Sequence, residues 1–251
     1  MMDRKAYRGW AVGSGVLAWI ASALPGGVAA ADETFSYDDG ISNVTFGPPP
    51  SFAMFGDIDV LWGNYFFTGA DPVDLTTISY GLGSLSSADG GNDTVSIWIF
   101  DDADNDADPT NAIPIFQTTV TGADTGFDLV ELAIDPVRVS GGFFVALGHV
   151  AELNDSGTGY PSPARFDPNA RADRSWFFYD SDIPEDDLAS SGFFTRMDGP
   201  QVPIQGAFAI RAGGVAVPGT GSAALLAMAS LGSLGRRRDR STTAYRGSVD
   251  R

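Results

Sequence analysis

The chain is 251 residues long, with 32 acidic and 15 basic residues for a formal charge of −17, one histidine and no cysteine. So acidic a surface excludes nucleic acid as a ligand, because binding a polyphosphate needs a basic face. The absence of cysteine excludes a disulfide framework and thiolate catalysis, and a lone histidine cannot supply the nitrogen and sulfur ligands of a zinc or copper first shell.

The N-terminus reads as an export signal. Arg4, Lys5 and Arg8 form a positive segment, residues 10–20 an uncharged apolar one, and Pro25-Gly26-Gly27 a break before Ala29-Ala30-Ala31. This is the pattern of a secretory signal, with an Ala-x-Ala site formed by Ala29 and Ala31, and it predicts a signal helix over 1–31 with cleavage after Ala31. The other reading is an anchor helix, but a span needs about 20 apolar residues and this run is shorter. Residues 32–217 hold 29 of the acidic residues against six of the basic ones, so the exported part carries about −23. Such a charge favours solubility and attracts divalent cations. Lys5 is the only lysine, so its loss with the signal leaves no Schiff-base or Ser-Lys chemistry.

From residue 32 to 214 the chain reads as one β domain. Short runs rich in β-branched and aromatic residues, bounded by Gly, Pro, Asp and Asn, predict strands over 78–83, 94–100, 113–120, 127–134, 142–147, 175–179 and 206–211. In the second of these, Val95, Ile97 and Ile99 alternate with Ser96, Trp98 and Phe100, which predicts a strand covered on both faces. No stretch keeps a helical apolar period for three turns. The expected fold is therefore all-β, an antiparallel β-sandwich of jelly-roll type, with a closed barrel as the alternative.

Two groups of residues carry candidate chemistry. In the aspartate-rich stretch 101–109, Asp102, Asp104 and Asp106 have the i, i+2, i+4 spacing by which a curled loop aims successive oxygens at one hard cation, with Asp108 as a fourth candidate. Three carboxylates with carbonyls and water suffice for Ca²⁺, which takes six to eight oxygen ligands. The EF-hand pattern is met in part, since Ala107 stands where Gly is usual and Ile113 where a bidentate Glu is usual. A solvated acidic turn is the competing reading. The second group is aromatic: Trp62 and Tyr65 in one cluster, Trp176 and Tyr179 in another. Exposed, these rings would stack on sugars; at alternating strand positions they would be core.

Catalysis has little to build on. His149 follows an apolar strand, and there is no Gly-x-Ser-x-Gly elbow to supply a serine nucleophile. Glycoside hydrolysis needs only two carboxylates about 5 to 10 Å apart. The domain's glutamates, Glu33, Glu131, Glu152 and Glu185, sit in no recognisable motif.

The C-terminus is the most specific signal in the chain. Val217-Pro218-Gly219 opens a Pro/Gly break, residues 222–235 form an uncharged apolar run, and Arg236, Arg237 and Arg238 close it. A short hydrophobic helix followed by guanidiniums is a membrane stop. It resembles the PEP-CTERM sorting signal of bacterial exosortase systems, with Pro-Gly-Thr in place of the Pro-Glu-Pro core. The resemblance implies export machinery and an exosortase-like protease as partners, transient residence in the inner membrane, a sorting segment over 215–240 and a short cytoplasmic tail over 241–251. A strand ending in Ile-Trp-Ile-Phe-Asp-Asp, a loop closing on Asp108-Pro109, Gly141-Gly142-Phe143-Phe144-Val145 and Arg174-Ser175-Trp176 look like the exported ectodomains that often precede such tails. The expectation is an exported, surface-anchored or matrix-associated, non-catalytic protein stabilised by Ca²⁺, in contact with extracellular polysaccharide. The alternatives are a carbohydrate-binding module and a glycan-active hydrolase.

Overall fold

The computed structural model describes residues 32–217 apart from 40–43, 70, 86–93, 155, 185 and 201. The signal segment with Ala29 and Ala31, the tail from Pro218 with Gly219, Arg236, Arg237 and Arg238, and with them both expected flanking helices, lie outside the described residues. Among the described residues no helix is long and apolar enough to cross a membrane.

The described residues form thirteen strands: β1 (Asp32–Phe35), β2 (Val44–Phe46), β3 (Ile58–Phe67), β4 (Val73–Tyr80), β5 (Thr94–Asp102), β6 (Ile113–Thr121), β7 (Val130–Val139), β8 (Gly142–Ala151), β9 (Ala164–Asp167), β10 (Ser175–Asp180), β11 (Phe193–Arg196), β12 (Ala207–Phe208) and β13 (Ile210–Ala216). They pair antiparallel throughout, in a six-stranded sheet ordered β11-β10-β3-β8-β5-β6, a four-stranded sheet ordered β1-β13-β4-β7 and a three-stranded sheet ordered β12-β9-β2. The described residues are predominantly β, in antiparallel sheets, as composition and spacing predicted.

The central strands of the six-stranded sheet, β10, β3, β8 and β5, are buried on both faces. One face brings Trp62 and Phe66 of β3, Ile97 of β5 and Val145 of β8 against Ile78 of β4, Phe166 of β9 and Ile210 of β13 in the main core. The other face carries Leu61, Tyr65, Trp98, Phe100, Phe144 and Phe178, and a second core forms where loop residues Ala112, Ile183 and Leu188 lie over them. The alternation expected along β5 holds: Val95, Ile97 and Ile99 belong to the main core, Trp98 and Phe100 to the second.

Several boundaries differ from expectation, among them β5 and β8, which run on to Asp102 and Ala151, and β7, which starts at Val130; three differences have visible physical reasons. β4 ends at Tyr80, because residues 81–83 leave the ladder to run beside Arg165 and Ser162, where a β-carbon on Gly81 or Gly83 would crowd them. β7 continues through Pro136, which an edge strand tolerates since it need not donate on its open side. The run 206–211 divides at Ala209 into β12 and β13, which belong to different sheets.

Asn64 secures that division. It is fully buried, and its Nδ2 donates to the carbonyls of Phe208 at 2.8 Å and Ile210 at 3.1 Å while its Oδ1 accepts from Ser175 Oγ at 2.6 Å. One side chain in β3 thus satisfies the carbonyls on either side of the sheet change. Leucine at this position fills similar space but removes a partner from those two carbonyls and the serine, so Asn64→Leu is expected to cost at least about 3 kcal/mol, at about 1 to 3 kcal/mol for each buried group left unpaired. Urea unfolding should show a lower midpoint at unchanged slope.

Candidate metal centre

β5 places the first ligand by alternation. Trp98 and Phe100 face the second core, so Asp102, the last residue of the strand, faces it too, opposite Gly142 of β8. Asp102 is 1% exposed; its Oδ2 accepts a long 3.4 Å bond from the Ala107 amide and its Oδ1 has no partner. The Tyr65 hydroxyl beside it is equally buried and also makes no hydrogen bond. A β-carbon on Gly142 would collide with that hydroxyl and come within 3.1 Å of Asp102 Oδ2, so the glycine is required where three strands crowd one carboxylate.

The loop then curls back over its own strand. Asn105 and Ala107 adopt left-handed conformations at φ 59° and 68°, so Ala107 takes the backbone shape that Gly supplies at the corresponding EF-hand position. Asn105 Oδ1 accepts from the Gly142 amide and fixes the curl to β8, next to Gly141 at φ 81°. The curl brings carboxylate oxygens of Asp102, Asp104 and Asp106 within 4.8 Å of one another. Oxygens on one Ca²⁺ at about 2.3 to 2.6 Å lie no more than about 5 Å apart, so the three fit a single cation. Asp108 stands outside this group: its Oδ1 accepts from the Thr110 amide at 3.0 Å and hydroxyl at 2.7 Å, capping the short 3₁₀ turn Pro109–Asn111. Three of the four expected aspartates are therefore brought together.

The electrostatics follow from burial. Burial pushes the Asp102 carboxyl above the ordinary carboxylate range, and neighbouring Asp104 adds to it. Asp104, beside Asp102 and accepting from Asn111 Nδ2 at 2.9 Å, is held below that range. Burial, with the adjacent Asp102, likewise pushes the Tyr65 hydroxyl up. An ionised carboxylate buried without a partner costs several kcal/mol, and a bound cation removes that cost.

The four aromatic residues expected to stack on sugars are interior instead. Trp62 and Tyr179 lie in the main core, Tyr65 and Trp176 in the second, and all are buried. The expected platform is not formed by them, because β3 and β10 are adjacent strands of a sheet covered on both sides. A different aromatic surface exists. Phe52, Phe55 and Phe193 line an open groove of about 260 Å³ together with Tyr179 and Asp180, and Phe55 is 59% exposed. It is assembled from three separate segments, so no local pattern marked it.

His149 is buried with its two ring nitrogens 3.0 Å from the Thr94 carbonyl and 2.8 Å from the Leu85 carbonyl, a structural tie between backbone segments. Glu33 on β1 and Glu131 on β7 are edge residues with two strands between them and lie at different levels of the ladder, so they are at least about 14 Å apart at the usual strand spacing, which is beyond a hydrolase pair. Glu152 follows β8 in another sheet, and Glu185 lies outside the described residues. No protein-family model matches the chain, and no curated protein matches it.

Proposed function

We propose that this is an exported, non-catalytic β-sandwich of jelly-roll type that works at the cell surface or in an extracellular matrix, with one Ca²⁺ bound by Asp102, Asp104 and Asp106. One observation carries the metal reading: a carboxylate 1% exposed, with an unpartnered oxygen, inside a cluster of three. The donors are all oxygens on a loop with two exposed members, which suits the large, geometrically tolerant Ca²⁺ over Mg²⁺, zinc or copper. The sandwich reading rests on the main core, which the six-stranded sheet shares with the four- and three-stranded sheets. The non-catalytic reading rests on the engagement of the sole histidine with two carbonyls.

The address comes from the two ends: a signal over 1–31, a domain over 32–214, a PEP-CTERM-like sorting segment over 215–240 and a tail over 241–251. Bound Ca²⁺ would fix the loop that carries Ala107 and Ala112 against the second core. The Phe52, Phe55 and Phe193 groove supports a second reading, in which a sugar ring lies on Phe55 and its hydroxyls meet Asp180.

With a Kd of about 10⁻⁴ M, as in extracellular sites, about 10 mM Ca²⁺ should add about 2.7 kcal/mol and raise Tm by several degrees. Replacing Asp102, Asp104 and Asp106 by Asn should abolish most of the rise, and Mg²⁺ should do less. An equal response to both ions, or one that survives the triple variant, would instead indicate general screening of the acidic domain. Deleting residues 218–251 should move the protein from the membrane or surface fraction into the medium, as fractionation would report; an unchanged distribution contradicts the anchoring. On a glycan array, Phe55→Ala should erase any signal, and an array signal indifferent to that change excludes the groove.

A further inference from the structure

The sheet edges differ in how they are protected. β1 is four residues long and carries Asp32 and Glu33; β11 is four residues long and ends on Arg196; β7 carries Glu131, Asp135 and Arg138 and is interrupted by Pro136. The outer strands of the three-stranded sheet have two and three residues. Short length, charge and proline are the devices by which β proteins keep edges from pairing with other chains. β6 has only one of them, Pro114, next to its first residue. It is nine residues long, forms the end of the largest sheet and pairs, among the described residues, with β5 alone.

Its sequence reinforces the contrast. Residues 109–123 carry no charge in a domain of about −23, and 115–121, Ile-Phe-Gln-Thr-Thr-Val-Thr, contain neither proline nor glycine. Uncharged β-forming segments of this length, left on an edge, are pairing sites. The strand alternates regularly: Phe116 and Val120 pack against the main core, while Ile113, Ile115, Gln117, Thr119 and Thr121 are exposed. Ile113 is 63% exposed. A cleft of about 470 Å³ between Ile115 and residues 136–140 separates this end of β6 from the end of β7.

We infer that β6 is a homotypic assembly edge, pairing antiparallel with β6 of a second copy to join two six-stranded sheets into one. Charge selects the occupant and the orientation. Two domains of about −23 repel wherever their acids face, and β6 is the long edge at which two copies meet without adding a charge pair. The aspartate loop adjoins one end only, since Asp101 lies opposite Ile113. Antiparallel pairing puts the two loops at opposite ends of the ladder, about 30 Å apart over nine residues and beyond a Debye length; parallel pairing would superpose them. A two-fold axis at Gln117 makes the strand self-complementary, with Gln117 opposite its own copy, Ile115 opposite Thr119 and Ile113 opposite Thr121. The inference is independent of the metal reading.

The chain has no cysteine, so single cysteines report the contact directly. Directly opposed residues in an antiparallel ladder have Cα atoms about 4.5 to 5.5 Å apart, within disulfide reach. In the full chain, Gln117→Cys is expected to form disulfide dimers at least about tenfold faster under mild oxidation than Phe194→Cys on β11 or Glu131→Cys on β7, because pairing raises the local thiol concentration. Adding Thr119→Lys to Gln117→Cys should reduce crosslinking to the control rate; the lysine makes the domain less negative, so the loss cannot come from added global repulsion. Crosslinking at Gln117→Cys no faster than the controls, or crosslinking of that residue to a different protein alone, overturns the inference. So does crosslinking that persists in a Thr119→Lys variant whose circular dichroism is native. Should that variant not fold, the comparison of the three single cysteines still decides.

Discussion

The structure depends on burying the central strands of the six-stranded sheet on both faces. A strand in such a position has no polar side to offer water, and the sequence of β3 obeys this: from Val60 to Phe66 every residue is buried. Gly63 is part of the same constraint, because a β-carbon there would strike the Val145 carbonyl and the Phe144 ring. The second face has no sheet to cover it. It is closed by two loops, through Ala107 and Ala112 on one side and Ile183 and Leu188 on the other. Loops cover apolar surface less well than a sheet, because they hold fewer apolar groups and order at greater entropic cost. Local devices must fix them, and these are visible: the Asp108 cap, the bond from the Gly142 amide to Asn105, and the long bond from Ala107 to Asp102.

The acidic excess is handled by solvation and by a few arginines. Arg138 forms a bidentate pair with Asp74, Arg171 with Asp173 and Arg196 with Asp198, all at the surface and each of small stabilising value. Two pairs reach further inward. Arg211 engages the buried carboxylate of Asp38, and Arg165 bridges the Leu82 carbonyl and Asp124. Arg174 lies over the Tyr65 ring, 5.4 Å from its centre, on the tyrosine whose hydroxyl faces Asp102. No arginine reaches Asp102 itself among its described partners. The one acid placed deepest in the second core is therefore the one that the chain's own cations leave uncompensated.

What could be read from the sequence follows from which physical signals are local. The β5 alternation and the i, i+2, i+4 aspartates were legible because each depends on a single stretch whose neighbours alternate or curl regularly. β3 was legible only as an aromatic cluster, since a strand buried on both faces loses the period of two that marks a half-buried one. The same blindness affected Trp62, Tyr65, Trp176 and Tyr179. Their composition suits stacking equally well inside or outside, and only the pairing of β3 with β10 decides. Asp108 carries the right spacing for a ligand, yet the following Pro109 begins a 3₁₀ turn that its side chain caps. The Phe52 groove was beyond local reading because its walls come from residues near 52, 179 and 193.

The second core and the aspartate loop stabilise each other, and magnitudes show why neither suffices alone. Burying an aliphatic side chain contributes about 1.5 to 3 kcal/mol, so Ile183 and Leu188 supply only a few kcal/mol toward closing this face. An uncompensated carboxylate beneath the loop costs an amount of the same order when ionised. Keeping Asp102 protonated avoids that cost, which agrees with the upward direction of its titration, but a neutral acid gives the loop no strong tie. A cation shared with Asp104 and Asp106 would turn the same group from a liability into an anchor, because the buried oxygen would then fix two exposed ones. With such a cation, the closure of the face and the ionisation of Asp102 would be two aspects of one equilibrium. Its setting is determined at the last residue of β5, where the strand's alternation first brings an acid instead of an aromatic ring into the core.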